Sequence, residues 1–368
     1  MKAKLSVSTD PILSNAVAQV SRDIAGPDAR LIVYFASSKY DPTALTEQMA
    51  AAFPGVPTVG CTTAGEIVSG RMLQGSLSAM ALGSELVVRA EARLLNHISE
   101  DARGSVTTAL DDFSRTFGCA VGDMDPERFV GLVLADGLSG AEERLMDALG
   151  DQTNVAFVGG SAGDDLKFQK TCVFLGANAA SNAAVLVLVE PAVPFQILKT
   201  QSFRVLPTKL VATKVNEPAR RVIEFNGEPA AAAYAKAVGT SVDQASGRFM
   251  TNPVGLLAGS EVFVRSPQRI DSGSIYFYCA IHEGAELALL ESTDIVADTE
   301  RTIAAVPDAL AILDFDCILR TLELRQKGLC DRYGSIFART PTLGFSTYGE
   351  EYIGHINQTS TMLAFRSR

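Results

Sequence analysis

Short apolar runs and longer mixed segments alternate along this chain, and the alternation repeats. Leu31-Ile32-Val33-Tyr34-Phe35 has the length and composition of a buried strand. A polar break follows at Ser37, Ser38, Asp41 and Pro42, and then a segment from about residue 43 to 53 reads as a helix. The same order returns from Phe129-Val130-Gly131-Leu132-Val133-Leu134, through Asp136-Gly137-Leu138-Ser139, to a helix over about 140–149. It returns once more from Ala309-Leu310-Ala311-Ile312-Leu313-Asp314-Phe315 to a helix over about 317–327.

Each helix leads to a Gly-rich phrase. Pro57-Thr58-Val59-Gly60-Cys61-Thr62-Thr63-Ala64-Gly65-Glu66 matches Pro341-Thr342-Leu343-Gly344-Phe345-Ser346-Thr347-Tyr348-Gly349-Glu350 at six of ten positions. A shorter copy is Val158-Gly159-Gly160-Ser161-Ala162-Gly163-Asp164, one residue shorter than the stretch 59–66 that it matches. Val33 and Leu132 are 99 residues apart, as are Val59 and Val158, so the first two copies align without a gap. A strand follows each phrase, over 77–82, 184–189 and 355–365. The repeated unit is therefore strand, helix, strand, Gly turn, strand, which predicts an α/β fold of layered mixed sheets and helices. Glycines at matched offsets mark tight turns or close backbone approaches.

A length of 368 residues favours two domains. Pro191, Pro194 and Pro207 place the boundary near residue 200, giving domains 1–200 (two copies) and 201–368 (the third copy). Within the second, 209–215 and 221–225 read as strands, Asn226-Gly227 as a turn and 229–238 as a helix. Strands over 275–281 and 285–290 flank His282-Glu283-Gly284 as a hairpin would.

Composition narrows the function classes. The net charge of -10, with no basic stripe, argues against a nucleic-acid binder. The first ten residues lack the apolar core of a signal peptide, and the apolar run 183–189 is too short to span a bilayer. The expectation is a cytoplasmic protein without a membrane segment, its six scattered cysteines free thiols.

Candidate chemistry centres on the Gly phrases. Gly60, Thr62, Thr63, Gly160, Ser161, Gly344, Ser346 and Thr347 combine backbone N–H groups with small hydroxyls, a set able to cradle an anion or to satisfy the turns themselves. Glu66, Asp164 and Glu350 end the phrases, where an acid commonly accepts backbone hydrogen bonds. Gly159-Gly160-Ser161-Ala162-Gly163 fits G-x-S-x-G, but 168–175 reads as a strand where a nucleophile elbow needs a helix. Cys61 and Ser161 are the candidate nucleophiles of an enzyme reading, with no histidine near either in sequence, and the expectation is a protein that is not an enzyme. Of three histidines, His355 lies beside the third phrase and shares a strand face with Ile353, Asn357 and Thr359. An imidazole there suits an axial haem ligand. Arg320 and Arg325 lie on the preceding helix, able to pair with a carboxylate or propionate.

The ordered motifs VGCTTAGE, FVGGSAGDD, FNGEPA, GFSTYGE and NQT resemble those of the FIST family of prokaryotic sensory proteins, over about residues 30–365. The resemblance implies a ligand-sensing module that acts on a separate signalling partner, with small molecules such as amino acids as ligands. Asp316-Cys317-Ile318-Leu319-Arg320, the third phrase and His355-Ile356-Asn357-Gln358-Thr359 are similar to the haem-binding, nitric-oxide-sensing branch. That implies a metal ligand at His355, with Arg320, Cys317, Tyr348 and Asn357 around the cofactor, and a histidine kinase as partner. The alternative is a small-carboxylate sensor held by the Gly turns and arginines. Homo-oligomerisation leaves no signature in the sequence.

Overall fold

The computed structural model describes residues 2–259 and 261–368. It is a mixed α/β structure whose chain falls into two compact units, the first built from residues 1–200, 299–355 and 360–368, the second from 201–298 and 356–359.

In the first unit the repeat appears as three copies of one strand order. β1 (Ala3–Ser8) and α1 (Leu13–Ile24) precede copy one, which runs β2 (Ala29–Ser37), α2 (Pro42–Ala52), β3 (Thr58–Thr63), a hairpin of β4 (Glu66–Val68) and β5 (Arg71–Leu73), and β6 (Leu77–Gly83). β7 (Val87–Asn96) and α3 (Ile98–Phe117) lead to copy two: β8 (Val130–Ala135), α4 (Glu142–Gly150), β9 (Phe157–Ser161), hairpin β10 (Val173–Leu175) and β11 (Asn178–Ala180), and β12 (Ala183–Pro191). β13 (Phe195–Gln201) follows. The signals for helix starts are local: Asp41 accepts a hydrogen bond from Ala44 N at 2.8 Å, with Pro42 in the first turn of α2.

The second unit holds β14 (Phe203–Asn216), β15 (Arg221–Phe225), β16 (Glu228–Pro229), α5 (Ala230–Ala237), α6 (Val242–Ala245), β17 (Val254–Ala258), β18 (Glu261–Arg265), β19 (Pro267–Asp271), β20 (Ser274–Phe277) and β21 (Glu286–Ser292). Its strands form one sheet, ordered β18-β17-β21-β14-β15-β20-β19 with β16 on β15. Tyr234 of α5 packs with Phe225, Phe277 and Leu287 in its core. Asn226-Gly227, both at positive φ, turns β15 into β16 as its sequence requires. The expected hairpin about His282 is absent. β20 pairs with β15 and β21 with β14, so the 14-residue β14 and the short β15 lie between them. Runs on either side of a Gly turn need not pair when better partners are available.

α7 (Ile295–Ala304) leads to copy three: β22 (Ala309–Cys317), α8 (Ile318–Lys327), α9 (Cys330–Ser335), β23 (Thr342–Thr347), hairpin β24 (Glu350–Tyr352) and β25 (His355–Ile356), and β26 (Thr359–Arg366). The expected single strand over 355–365 is broken at Asn357-Gln358, where Gln358 takes a φ of 50°. His355 therefore shares a strand face with neither Asn357 nor Thr359, and Ile353 is exposed at the hairpin tip while His355 is buried.

The three copies exchange hairpins. The first sheet runs β1-β6-β2-β3-β10-β11, the second β25-β24-β9-β8-β12-β7, and the third β13-β26-β22-β23-β4-β5. Copy one thus completes the sheet of copy three, copy two that of copy one, and copy three that of copy two. The Gly phrases are the crossings. Ser346 N donates to Gly65 O at 2.8 Å, Ser161 N to Gly349 O at 2.8 Å, and Gly163 N to Thr62 O at 2.9 Å, so each turn's backbone is satisfied by another's. The inner faces of all three sheets share one core, in which the Phe35, Phe315 and Phe345 rings lie 4.4–6.4 Å apart. Outside, α1 and α2 cover the first sheet, and α3 and α4 the second.

One glycine in each phrase is dictated by the parallel strand beside it. A Cβ on Gly60, Gly159 or Gly344 would lie 1.9, 1.7 or 2.4 Å from the carbonyl oxygen of Tyr34, Val133 or Asp314. No rotamer relieves that overlap, because the obstacle is backbone.

Candidate functional site

Those three glycines index the same place in each sheet, so the copies can be compared position by position. On the outward face, Gly60 is flanked by Tyr34 and Phe174, Gly159 by Val133 and Glu351, and Gly344 by Asp314 and Ile67. Copy one fills the place with stacked aromatic rings, their centroids 5.4 Å apart. The other two each place a fully buried carboxylate there. Burying a carboxylate is costly, and copy one shows that the turn closes without it. Each of these acids also keeps one oxygen without a hydrogen-bond partner, Glu351 Oε2 and Asp314 Oδ2. The Tyr34 hydroxyl is unpartnered as well, but a neutral phenol is far less costly to leave so. The unit therefore contains two polar chambers at positions its own architecture allows to be apolar.

In the chamber of the second sheet, Ser161 Oγ donates to Glu351 Oε1 at 3.0 Å, and His355 Nδ1 shares a hydrogen bond with the same oxygen at 2.9 Å. Burial pushes the Glu351 carboxyl up, opposed by His355 and Ser161 and assisted by the charge of Glu142, itself buried at the start of α4. The imidazole lies against Gly349, where a Cβ would be 2.0 Å from its Cε1. The β24–β25 hairpin is what delivers Glu351 and His355 here from copy three.

In the chamber of the third sheet, Arg320 Nε donates to Asp316 Oδ1 at 2.7 Å and its Nη2 to Thr299 Oγ1 at 2.9 Å. Tyr333 OH donates to Asp316 Oδ1 at 3.0 Å, and Thr321 Oγ1 to Oδ2 at 3.2 Å. Ser360 Oγ donates to Asp314 Oδ1 at 2.7 Å. Burial first, and then the neighbouring Asp316 charge, push Asp314 up to about 8.

The residues singled out from sequence are dispersed. His355 meets Ser161 on the second sheet, whereas Arg320 lies over the third, joined to Ser346 through Thr321, whose hydroxyl is 2.7 Å from that of Ser346. Cys317 is buried at the end of β22. Tyr348 OH donates to Asp164 and the ring stacks on Phe168 at 4.8 Å. Asn357 belongs to the second unit, where its Oδ1 accepts from the Cys279 thiol at 2.7 Å. Thr62 Oγ1 accepts from Cys172 N at 3.0 Å, Thr63 Oγ1 donates to Glu66, and Thr347 Oγ1 donates to Glu350 at 2.5 Å. Gly60, Gly160 and Gly344 are buried in β3, β9 and β23. Sequence reasoning gave no role in a site to Asp314, Asp316, Glu351, Ser360 and Tyr333. The signal for the first two was present: Asp314-Phe315-Asp316 stands where copy one reads Tyr34-Phe35-Ala36.

Burial pushes the Glu66 carboxyl up to about 7, against hydrogen bonds from Ser76 and Thr63. Asp164 behaves oppositely: burial raises it, but Tyr348 and three backbone N–H groups outweigh that and hold it below its ordinary value. Glu66 and Asp314 thus bind protons more tightly folded than unfolded. Their contribution to stability is complete below their unfolded values and is lost as pH rises toward about 7 and about 8. Urea unfolding should show lower stability at pH 8 than at pH 5, with the slope between them reduced in Glu66→Gln. A stability that rises steadily from pH 5 to 8 would contradict these environments.

Comparison with known proteins gives one family across the chain. The FIST N domain model matches residues 30–228 and the FIST C domain model residues 230–352. An uncharacterized protein of Methanocaldococcus jannaschii is 21% identical over 203 residues, covering 51% of this chain and 38% of that protein. The chain thus spans well under two thirds of that relative's length. No helix among the described residues is long and apolar enough to cross a membrane.

Proposed function

Because the chain belongs to the FIST family, whose domains have sensory roles, we propose that it is a cytoplasmic ligand sensor that acts on a separate signalling partner. The observation that carries this reading is the Ser161–Glu351–His355 chain, buried where copy one has only aromatic packing. For the ligand we propose haem held through His355, with nitric oxide as the signal and a histidine kinase as the partner.

The Glu351–His355 pair is the support for that ligand. A carboxylate on Nδ1 fixes the ring and raises the basicity of Nε2, the nitrogen that would ligate iron. Ser161 fixes the Glu351 oxygen, and Gly349 leaves room for the ring edge. When bound, haem would supply an iron centre able to take up a diatomic gas. A ligand that changes the force on the β24–β25 hairpin can bias two arrangements of the protein only through its unequal affinity for them. The small-carboxylate reading is less favoured. Arg320 is engaged by Asp316, and turn N–H groups bond to one another.

Binding rather than catalysis is also the reading for the candidate nucleophiles. Burial pushes the Cys61 thiol well above its ordinary value, away from the reactive thiolate. The Ser161 hydroxyl donates to Glu351 Oε1, the oxygen that also bonds His355 Nδ1, so its hydrogen bond goes to the carboxylate and not to the imidazole that a serine nucleophile needs as its base.

Titration with haemin, followed by absorption, tests the ligand. Glu351→Gln should lower haem affinity roughly 10–100-fold, as loss of a partner to a ligating histidine does. His355→Ala should abolish the sharp Soret band. A His355→Ala protein with full affinity and an unchanged spectrum would sink the assignment.

A further inference from the structure

The chamber of the third sheet is short of one positive charge. It holds two fully buried carboxylates, Asp314 and Asp316, and one buried guanidinium, Arg320. Arg320 is committed to Asp316 in direct contact, and Tyr333 and Thr321 complete that carboxylate's hydrogen bonds. Asp314 has only Ser360, on one oxygen, while Oδ2 is buried with no partner. The equivalent place in copy one holds the Tyr34 ring, so shape does not require an acid here.

We propose that this chamber binds a small monovalent cation, an ammonium group or an alkali ion, on Asp314 Oδ2. The proposal is independent of the haem reading, which concerns the other sheet. Charge sets the valence. One added positive charge balances the two carboxylates and the guanidinium, whereas a divalent ion would leave the buried site cationic. A proton alone would neutralise Asp314, but it would turn Oδ2 into a donor that still needs an acceptor. A cation satisfies both the charge and the lone pairs. The hydroxyl of Ser360 offers a second oxygen beside it.

Proton and cation compete for Asp314, which fixes the sign of the pH dependence. The charged and titratable groups bearing on Asp314 are Asp316 on its own strand, Arg320 from α8 and Tyr333 from α9. Raising the pH removes the proton from Asp314 and should strengthen cation binding.

The test is thermal unfolding of the full chain at fixed ionic strength. Tetramethylammonium chloride, whose methyl groups keep its charge from direct contact with a carboxylate oxygen and which has no N–H to donate, serves as reference, and potassium, ammonium or methylammonium chloride replaces it. Wild type should gain roughly 2–4 °C in Tm with at least one small cation at pH 8.5, and clearly less at pH 6. Potassium against the two ammonium salts distinguishes an alkali-ion site from an amine site. Asp314→Asn should lose the cation-specific shift, and Glu66→Gln, in the hairpin that completes this sheet, should keep it. If Asp314→Asn does not fold, Ser360→Ala should reduce the shift instead. Equal Tm in all four salts at both pH values, or a full shift in either Asp314→Asn or Ser360→Ala, would overturn the proposal.

Discussion

Asp316→Ala is expected to lower the unfolding free energy by about 3–5 kcal/mol, because it leaves the Arg320 guanidinium buried without its carboxylate. The loss also strips Tyr333 and Thr321 of their acceptor. The effect belongs to the broken pair and not to the charges as such. Asp316→Leu combined with Arg320→Met, which removes both charges, should recover most of the stability, since an apolar isostere of a buried pair is often neutral or better. Copy one, which has Ala36 at the place of Asp316, shows that hydrocarbon is tolerated there. Urea unfolding of the three proteins decides it. A single mutant within 1 kcal/mol of wild type would mean that Arg320 is solvated, against the burial described here.

Phe345→Ala should cost about 3–5 kcal/mol by a different route. Its ring is fully buried and meets Phe35 of copy one at 4.4 Å and Phe315 at 5.9 Å, in the core shared by all three sheets. The cavity would open where three sheets meet, and no one copy can collapse to fill it without moving the hairpins it exchanges. Phe174→Ala, on the outer face of the first sheet, should cost less, because α1 and α2 can settle toward the gap. Comparable losses from the two changes would argue against a common centre.

The repeat itself was legible because its carriers are local. Apolar strands, polar breaks and Gly phrases depend on a few neighbouring residues, and all three copies keep that order in the structure. The Gly60, Gly159 and Gly344 matches reported a close backbone approach, and each glycine does face a carbonyl oxygen. The hairpin exchange was not legible, since three-residue strands such as β4 and β10 have no periodicity to read, and their partners lie in another copy. Nor is the strand break legible: an unbroken strand over 355–365 would put His355 and Thr359 on one face, and the turn at Gln358, with its positive φ, separates them. Glu351 carries no repeat signal, because the repeated phrase closes on its neighbour Glu350. The repeat identifies the acid that every copy uses for its turn, and it hides the one that a single copy uses for something else. The same logic, run in reverse, exposes Asp314 and Asp316 as departures from an apolar pattern.

The most direct measurement is the absorption spectrum of the ferrous haem-loaded protein before and after nitric oxide, in wild type and His355→Ala. A stoichiometric Soret band that shifts with nitric oxide in wild type and is lost in the variant is the predicted result. Protein that stays colourless, or that only broadens the spectrum of free haemin in both forms, would contradict the account.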